Sequence, residues 1–105
     1  MREVTDRDFS EIVNQPGLVV VDFWASWCAP CLALAPTMEN LDKEFQGKAT
    51  FIKVDTQANP VSPSKLGIMG LPTVLFFQDG NLTDRSVGLV PAGVLREKIN
   101  RLITI

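Results

Sequence analysis

The sequence predicts an α/β sandwich, a sheet with helices packed on both faces, and three observations carry that reading. Segments with strand-like and helical apolar periods follow one another in the order strand, helix, strand, then a hairpin and a last helix. The run from Leu18 to Trp24 is apolar almost throughout, as in a central strand covered on both faces. Asp79-Gly80, between two β-rich runs, is a hairpin turn signal. With 105 residues the chain has room for one core, so residues 1–105 are expected to form a single domain.

Thr5 or Asp6 is placed to cap a short first helix in which Phe9, Ile12 and Val13 form an i, i+3, i+4 stripe, and Pro16-Gly17 ends it. After the strand from Leu18 to Trp24, helical spacing resumes from Cys31 through Leu34, Met38, Leu41 and Phe45. Glu39, Asp42, Lys43 and Glu44 mark its wet face, and Gly47 closes it. Pro36 falls inside this helix, where a missing backbone donor predicts a kink. Ala49 to Val54 reads as a second buried strand, Asp55 to Pro63 as a polar loop, and Ser64 to Leu66 as one helical turn. Thr73 to Gln78 is the next strand, and Leu82 to Val87 returns antiparallel beside it until Gly88. Val94, Leu95, Ile99, Leu102 and Ile103 define a final amphipathic helix. Arg96, Lys98 and Arg101 point outward toward its C-terminal half, as the helix dipole favours.

Composition narrows the chemistry. Hydrophobic residues at 46% and charged residues at 21% are ordinary for a globular chain. Ten Lys and Arg stand against twelve Asp and Glu with no basic run, which argues against nucleic-acid or anionic-membrane binding through bulk charge. The longest apolar stretches fall far short of the roughly 20 residues a membrane helix needs. The first residues hold no apolar signal core, so a soluble, cytoplasmic protein is expected. Histidine is absent, which excludes Ser-His and Cys-His pairs, imidazole bases and His-containing metal sites. Tyrosine is absent too, leaving carboxylates, lysines, hydroxyls and two cysteines.

Those cysteines are Cys28 and Cys31, in Trp27-Cys28-Ala29-Pro30-Cys31. Two cysteines scattered at random over this length would show that spacing about 2% of the time, so the pair is a motif to be explained. Cys28 falls between the carboxyl end of the central strand and a helix start, where sites collect in α/β sheets and where backbone N–H groups favour a thiolate. Cys31, one helical turn on, is close enough to close a small disulfide ring.

Val21-Asp22-Phe23-Trp24 before the cysteine motif, and Gly70-Leu71-Pro72-Thr73 before a later strand, complete a pattern that resembles the thioredoxin family across nearly the whole chain. Asp22, Pro36, Lys53, Pro72, Gly80 and Gly88 stand at matching positions. The resemblance implies the thioredoxin fold, a central mixed sheet of about five strands flanked by four helices, whose short first strand only Met1 to Val4 can supply. It implies a protein thiol–disulfide oxidoreductase that reduces disulfide-containing target proteins through a Cys28/Cys31 cycle. A thioredoxin reductase, flavin- or ferredoxin-dependent, would restore the dithiol, with no cofactor on this chain. From charge and hydropathy no nucleic-acid or membrane partner is expected, and the chain is expected to be a monomer. Two positions depart from the family pattern: Ala29 stands where Gly is commonest, and Leu32 where Lys or Arg is usual.

Asp22 is a carboxylate in an apolar strand, so desolvation should raise its pKa, and it is the candidate proton acceptor for Cys31 through a water. Otherwise it would be a solvated strand end. Lys53, in a strand expected beside that of Asp22, is either its partner or a snorkelling edge charge. The resemblance implies a cis Leu71-Pro72 bond facing the cysteines, with the Leu71 backbone pairing to an extended substrate. Pro30 and Pro36 are expected to shape the site. Trp27, Ala29, Met69, Gly70, Leu71, Gly88 and Leu89 could line a shallow peptide groove or be ordinary core and turn residues. Trp24 is expected in the core. Leu32 lies off the buried stripe of its helix, toward the rim of the site. For the cysteines, the rival readings are half of an inter-subunit zinc site and a structural disulfide. For the protein as a whole, they are a folding catalyst and a non-catalytic interaction module.

Overall fold

A computed structural model of the chain describes residues 1–103; residues 104 and 105 of the expected domain lie outside the described residues. Strands β1 (Arg2–Glu3), β2 (Leu18–Trp24), β3 (Ala49–Asp55), β4 (Thr73–Gln78) and β5 (Asn81–Val87) form one sheet in the order β1-β3-β2-β4-β5. β1, β3 and β2 run parallel, whereas β4 and β5 are antiparallel to their neighbours. The expected mixed five-stranded sheet is present, flanked by four helices, with the apolar β2 at its centre.

Alternation along β2 divides the core. Leu18 and Val20, with Phe51, Val74 and Phe76, pack against helices α2 (Ala29–Glu44) and α4 (Ala92–Ile103) through Leu34, Met38, Leu41, Leu95 and Ile99. Val19, Val21 and Phe23, with Ile52, Val54, Leu75 and Phe77, pack against helix α1 (Asp6–Val13) through Phe9, Ile12 and Val13. Since side chains alternate with period two, Asp22 and Trp24 share the α2 side with Leu18 and Val20. This parity sets the carboxylate behind the cysteines. No helix among the described residues is long and apolar enough to cross a membrane.

Four local expectations are corrected. Thr5 occupies the N-cap position of α1 but makes no side-chain cap hydrogen bond, and Asp6 does not cap that helix either. Asp6 reaches across the fold instead, accepting from the Val61 and Ser62 N–H groups at 2.9 and 2.8 Å and from the Ser62 hydroxyl at 2.6 Å. Those donors open a short helix, α3 (Val61–Lys65), that starts three residues before the expected turn. Pro63 is tolerated there because the first turn of a helix has no internal use for its N–H. In α2 the helix begins at Ala29, ahead of the expected Cys31, and ends at Glu44, with Pro36 inside it as expected. In α4 the buried stripe is Leu95, Ile99 and Leu102, while Val94 is exposed.

The hairpin turn is as expected: Asp79 and Gly80 have φ of 50° and 86°, the paired positive values of a two-residue hairpin loop. Asp79 also ties the tip to the loop before β2, its N–H donating to the Gly17 carbonyl and its Oδ1 accepting from the Gly17 N–H. A Cβ added at Gly80 would lie 2.7 Å from Asn14 Oδ1, in a backbone conformation L side chains rarely adopt. Gly80→Ala is therefore expected to cost about 1–2 kcal/mol of stability, read as a lower denaturant midpoint at unchanged slope.

Candidate active site

β2 delivers the chain to the site and α2 carries it away. Cys28 is the N-cap of α2, with extended backbone angles, and its Sγ accepts from the Cys31 N–H at 3.2 Å. The N-terminal end of the helix dipole and this N–H both favour negative charge on Cys28 sulfur over neutral thiol. Pro30, inside the first turn, forfeits only an N–H with no helical partner. Cys28 and Cys31 are joined as a disulfide with their Cα atoms 5.2 Å apart. Both are buried with Ala25, and Trp24 and Leu71 pack against the group.

Asp22 lies behind this cystine, 5% exposed. Burial pushes its pKa from the ordinary 3.8 up to about 7; Lys53 opposes the rise and Glu3 adds to it. Lys53 is the register neighbour of Asp22 on β3. Its ammonium sits 5.6 Å from the centre of the Trp24 ring and 3.8 Å from Glu3, and among the described residues no ion pair within 4 Å joins it to Asp22. Lys53 therefore acts on Asp22 through its field. Asp22, Trp24, Cys31, Leu32, Ala35 and Lys53 line one cavity of about 220 Å³, open to solvent at its mouth, so carboxylate and cysteine share a single space. Trp24, expected in the core, is half-buried and forms a wall of that cavity.

On the other side of the cystine a cleft of about 560 Å³ is lined by Trp27, Met69, Gly70 and Leu71, together with Thr56, Pro60, Pro63, Ser64 and Ile68. Among the described residues no charged one contributes to it. Thr56, Pro60 and Pro63 fall in the loop expected after β3 and Ser64 in the helical turn, while Ile68 lies just beyond them; their only sequence signal is a place after the carboxyl end of a strand. Trp27 is 69% exposed and Met69 97%, so both stand as rim rather than core. The Leu71-Pro72 bond is cis, and the Pro72 carbonyl accepts from the Gly88 N–H at 2.8 Å. That bond seats Gly88 and the exposed Leu89 beside Pro72, although neither lines the cleft. Ala29, Pro30 and Pro36 are exposed on α2 outside both spaces. Leu32 is 54% exposed at the mouth of the smaller cavity, so its packing is not that of a core leucine.

A cystine at a strand-to-helix junction, its first sulfur on a helix N-terminus and a buried carboxylate behind its second, makes the molecule a thiol–disulfide oxidoreductase. The chain belongs to the thioredoxin family: the family model described as thioredoxin matches residues 1–101. It is 40% identical over 99 residues to a thioredoxin of Staphylococcus aureus strain Mu50, a match covering 94% of each chain. It is also 39% identical over 99 residues to a thioredoxin of Bacillus subtilis strain 168, again over 94% of each.

Proposed function

We propose that this protein works as a single cytoplasmic domain, a monomer that reduces disulfides in other proteins and is itself re-reduced by a thioredoxin reductase, flavin- or ferredoxin-dependent. The observation that carries the reading is the Cys28 sulfur held at the start of α2 by the Cys31 N–H, one helical turn from the sulfur that resolves it.

In the dithiol form Cys28 attacks as thiolate, forming a bond to one target sulfur and expelling the other as a thiolate that takes a proton from water. Cys31 then gives its proton to Asp22, through a water in the cavity they share, and its thiolate attacks Cys28 Sγ. The Cys28–target bond breaks, the second target sulfur leaves, and the pair is oxidised by two electrons as the target is reduced by two. A 220 Å³ space lined by a carboxylate and an ammonium-bearing residue is roomy and polar enough for such a water. Lys53 tunes Asp22 by its charge. The target lies in the cleft between Trp27, Met69 and Gly70, pairing with the Leu71 backbone as an added strand beside Pro72, with Ala29, Gly88 and Leu89 at the margin.

Catalysis of insulin disulfide reduction by dithiothreitol tests the reading. A rate well above that of dithiothreitol alone is expected, and an equal rate would overturn it. The uncharged cleft and the exposed Leu32 also predict docking that depends little on ionic strength. Leu32→Lys adds a cation at the rim, and is expected to change reduction rates of acidic targets roughly 2–5-fold at low salt, with the difference fading at higher salt. Identical rates and salt dependence in both forms would make Leu32 mere packing.

A further inference from the structure

Among the described residues two buried side-chain polar atoms lack a hydrogen-bond partner, Asp22 Oδ1 and Trp24 Nε1. One is an acceptor and the other a donor. They project from the same face of β2 two residues apart, so their Cβ atoms lie about 6–7 Å from one another, a span a tryptophan side chain covers. Both side chains wall the cavity that contains Cys31. An unpaired buried N–H is costly, and buried polar groups without partners are uncommon enough to need an explanation.

The backbone of Trp24 and the face of its ring have other contacts. The Trp24 carbonyl accepts from the Thr56 N–H at 2.9 Å and from the Thr56 hydroxyl at 3.1 Å, fixing the strand end. Lys53 Nζ occupies the ring's face at 5.6 Å from its centre. With the face taken by the ammonium, the N–H edge remains as a donor. The ionisable groups facing Asp22 are Lys53 from β3, Glu3 from β1 and Cys31 from α2, while its β4 neighbour is the apolar Val74. Among the described residues no side chain donates a hydrogen bond to the carboxylate.

We infer that Trp24 is a positioning residue for disulfide exchange, its indole N–H being the donor held for the ionised carboxylate of Asp22, met directly or through one water of the shared cavity. The inference rests on the reading of Asp22 as the acceptor of the Cys31 proton. Only ionised Asp22 can take that proton, and a donor that bonds the ionised form keeps it populated near neutral pH. In the structure, which holds the disulfide, the two atoms are unbonded, and ionisation of the carboxylate is what draws the donor in. Once the proton has moved from Cys31 sulfur to Asp22, the carboxyl is neutral and the bond weakens.

The test uses the reduced, isotope-labelled protein, titrated by NMR from about pH 4 to 10 with the indole N–H signals of Trp24 and Trp27 and the Asp22 carboxyl carbon followed together. The Trp24 indole signal is expected to move with the same midpoint as the Asp22 carboxyl, with that of exposed Trp27 as the control. Trp24→Phe keeps an aromatic ring under Lys53 but removes the donor. It is expected to raise the Asp22 midpoint by about one pH unit. It should also slow release of the target from the mixed disulfide about fivefold at pH 7, the two rates converging above about pH 9. A Trp24 signal flat across the Asp22 transition, or an unchanged Asp22 midpoint in Trp24→Phe, overturns the assignment. So does a rate loss equal at every pH, which is what packing alone would give. If Trp24→Phe does not fold, the titration of the unaltered protein decides. Asp22→Asn separates the two layers: if it leaves release unchanged, the reading of Asp22 fails, whereas slow release in Asp22→Asn beside normal release in Trp24→Phe removes only the role of Trp24.

Discussion

Asp22→Asn is expected to make the protein more stable and slower. The folded chain holds a proton on Asp22 up to about pH 7, whereas the unfolded chain loses it near the ordinary 3.8. Between those values the folded state binds more protons, so unfolding free energy falls as pH rises and levels off above pH 7. Stability from this group is thus fully present below about pH 4 and lost as pH passes through about 7. At about 1.4 kcal/mol per pH unit the loss is on the order of 4 kcal/mol. Asparagine still buries a polar amide, so the gain expected at pH 8 is roughly 2–4 kcal/mol, shrinking toward zero near pH 4. Denaturant unfolding of both forms at several pH values reads it directly. If the stability difference is the same at pH 4 and pH 8, Asp22 is not the group that titrates. In the same variant, release of the target from the mixed disulfide should slow roughly 10–100-fold at pH 7, the scale of a lost general base.

The second large effect separates the two cysteines. Cys28→Ser is expected to abolish both target reduction and formation of any mixed disulfide, since in the proposed mechanism the sulfur held at the N-terminus of α2 is the one that attacks. Cys31→Ser should still attack but not resolve, with turnover falling by roughly three orders of magnitude or more while a covalent adduct accumulates. Intact-mass analysis after incubation with an excess of disulfide substrate distinguishes them. An adduct on Cys28→Ser of the same yield as on Cys31→Ser would reverse the roles or show that the order is not imposed by the helix.

Much of this architecture is visible in the sequence because it is local. The apolar run of β2, the Asp79-Gly80 turn and the spacing of Cys28 and Cys31 each encode their geometry within a few residues, and each takes the form expected of it. Burial of Asp22 follows from that run as well, since a residue flanked by Val21 and Phe23 in a central strand is covered by the layers packed on the sheet. What escapes a linear reading is held by distant partners. The start of α3 depends on the Asp6 carboxylate, 55 residues away from Val61, and without that contact Val61 to Pro63 resembles a loop. The cleft residues Thr56, Pro60, Pro63 and Ile68 likewise come together with Trp27 and Met69 only in the folded chain, from the β3–α3 connection, α3 and the segment after it. Trp24 looks like core because tryptophan usually is. Its place as a cavity wall comes from sharing a sheet face with Asp22 at the strand's last turn toward Cys28.

A reductant and a folding catalyst can be built on the same cystine, and the difference lies in a few tens of millivolts for each 1.4 kcal/mol by which the protein favours dithiol or disulfide. Titration of the Cys28–Cys31 pair against graded glutathione and dithiothreitol buffers measures that balance in one experiment. The expected result is a single two-electron transition between dithiol and disulfide near the thioredoxin family value of about −270 mV. A midpoint in the range of roughly −180 to −120 mV, where disulfide isomerases and strong oxidants lie, would contradict the account, as would two thiols that titrate independently.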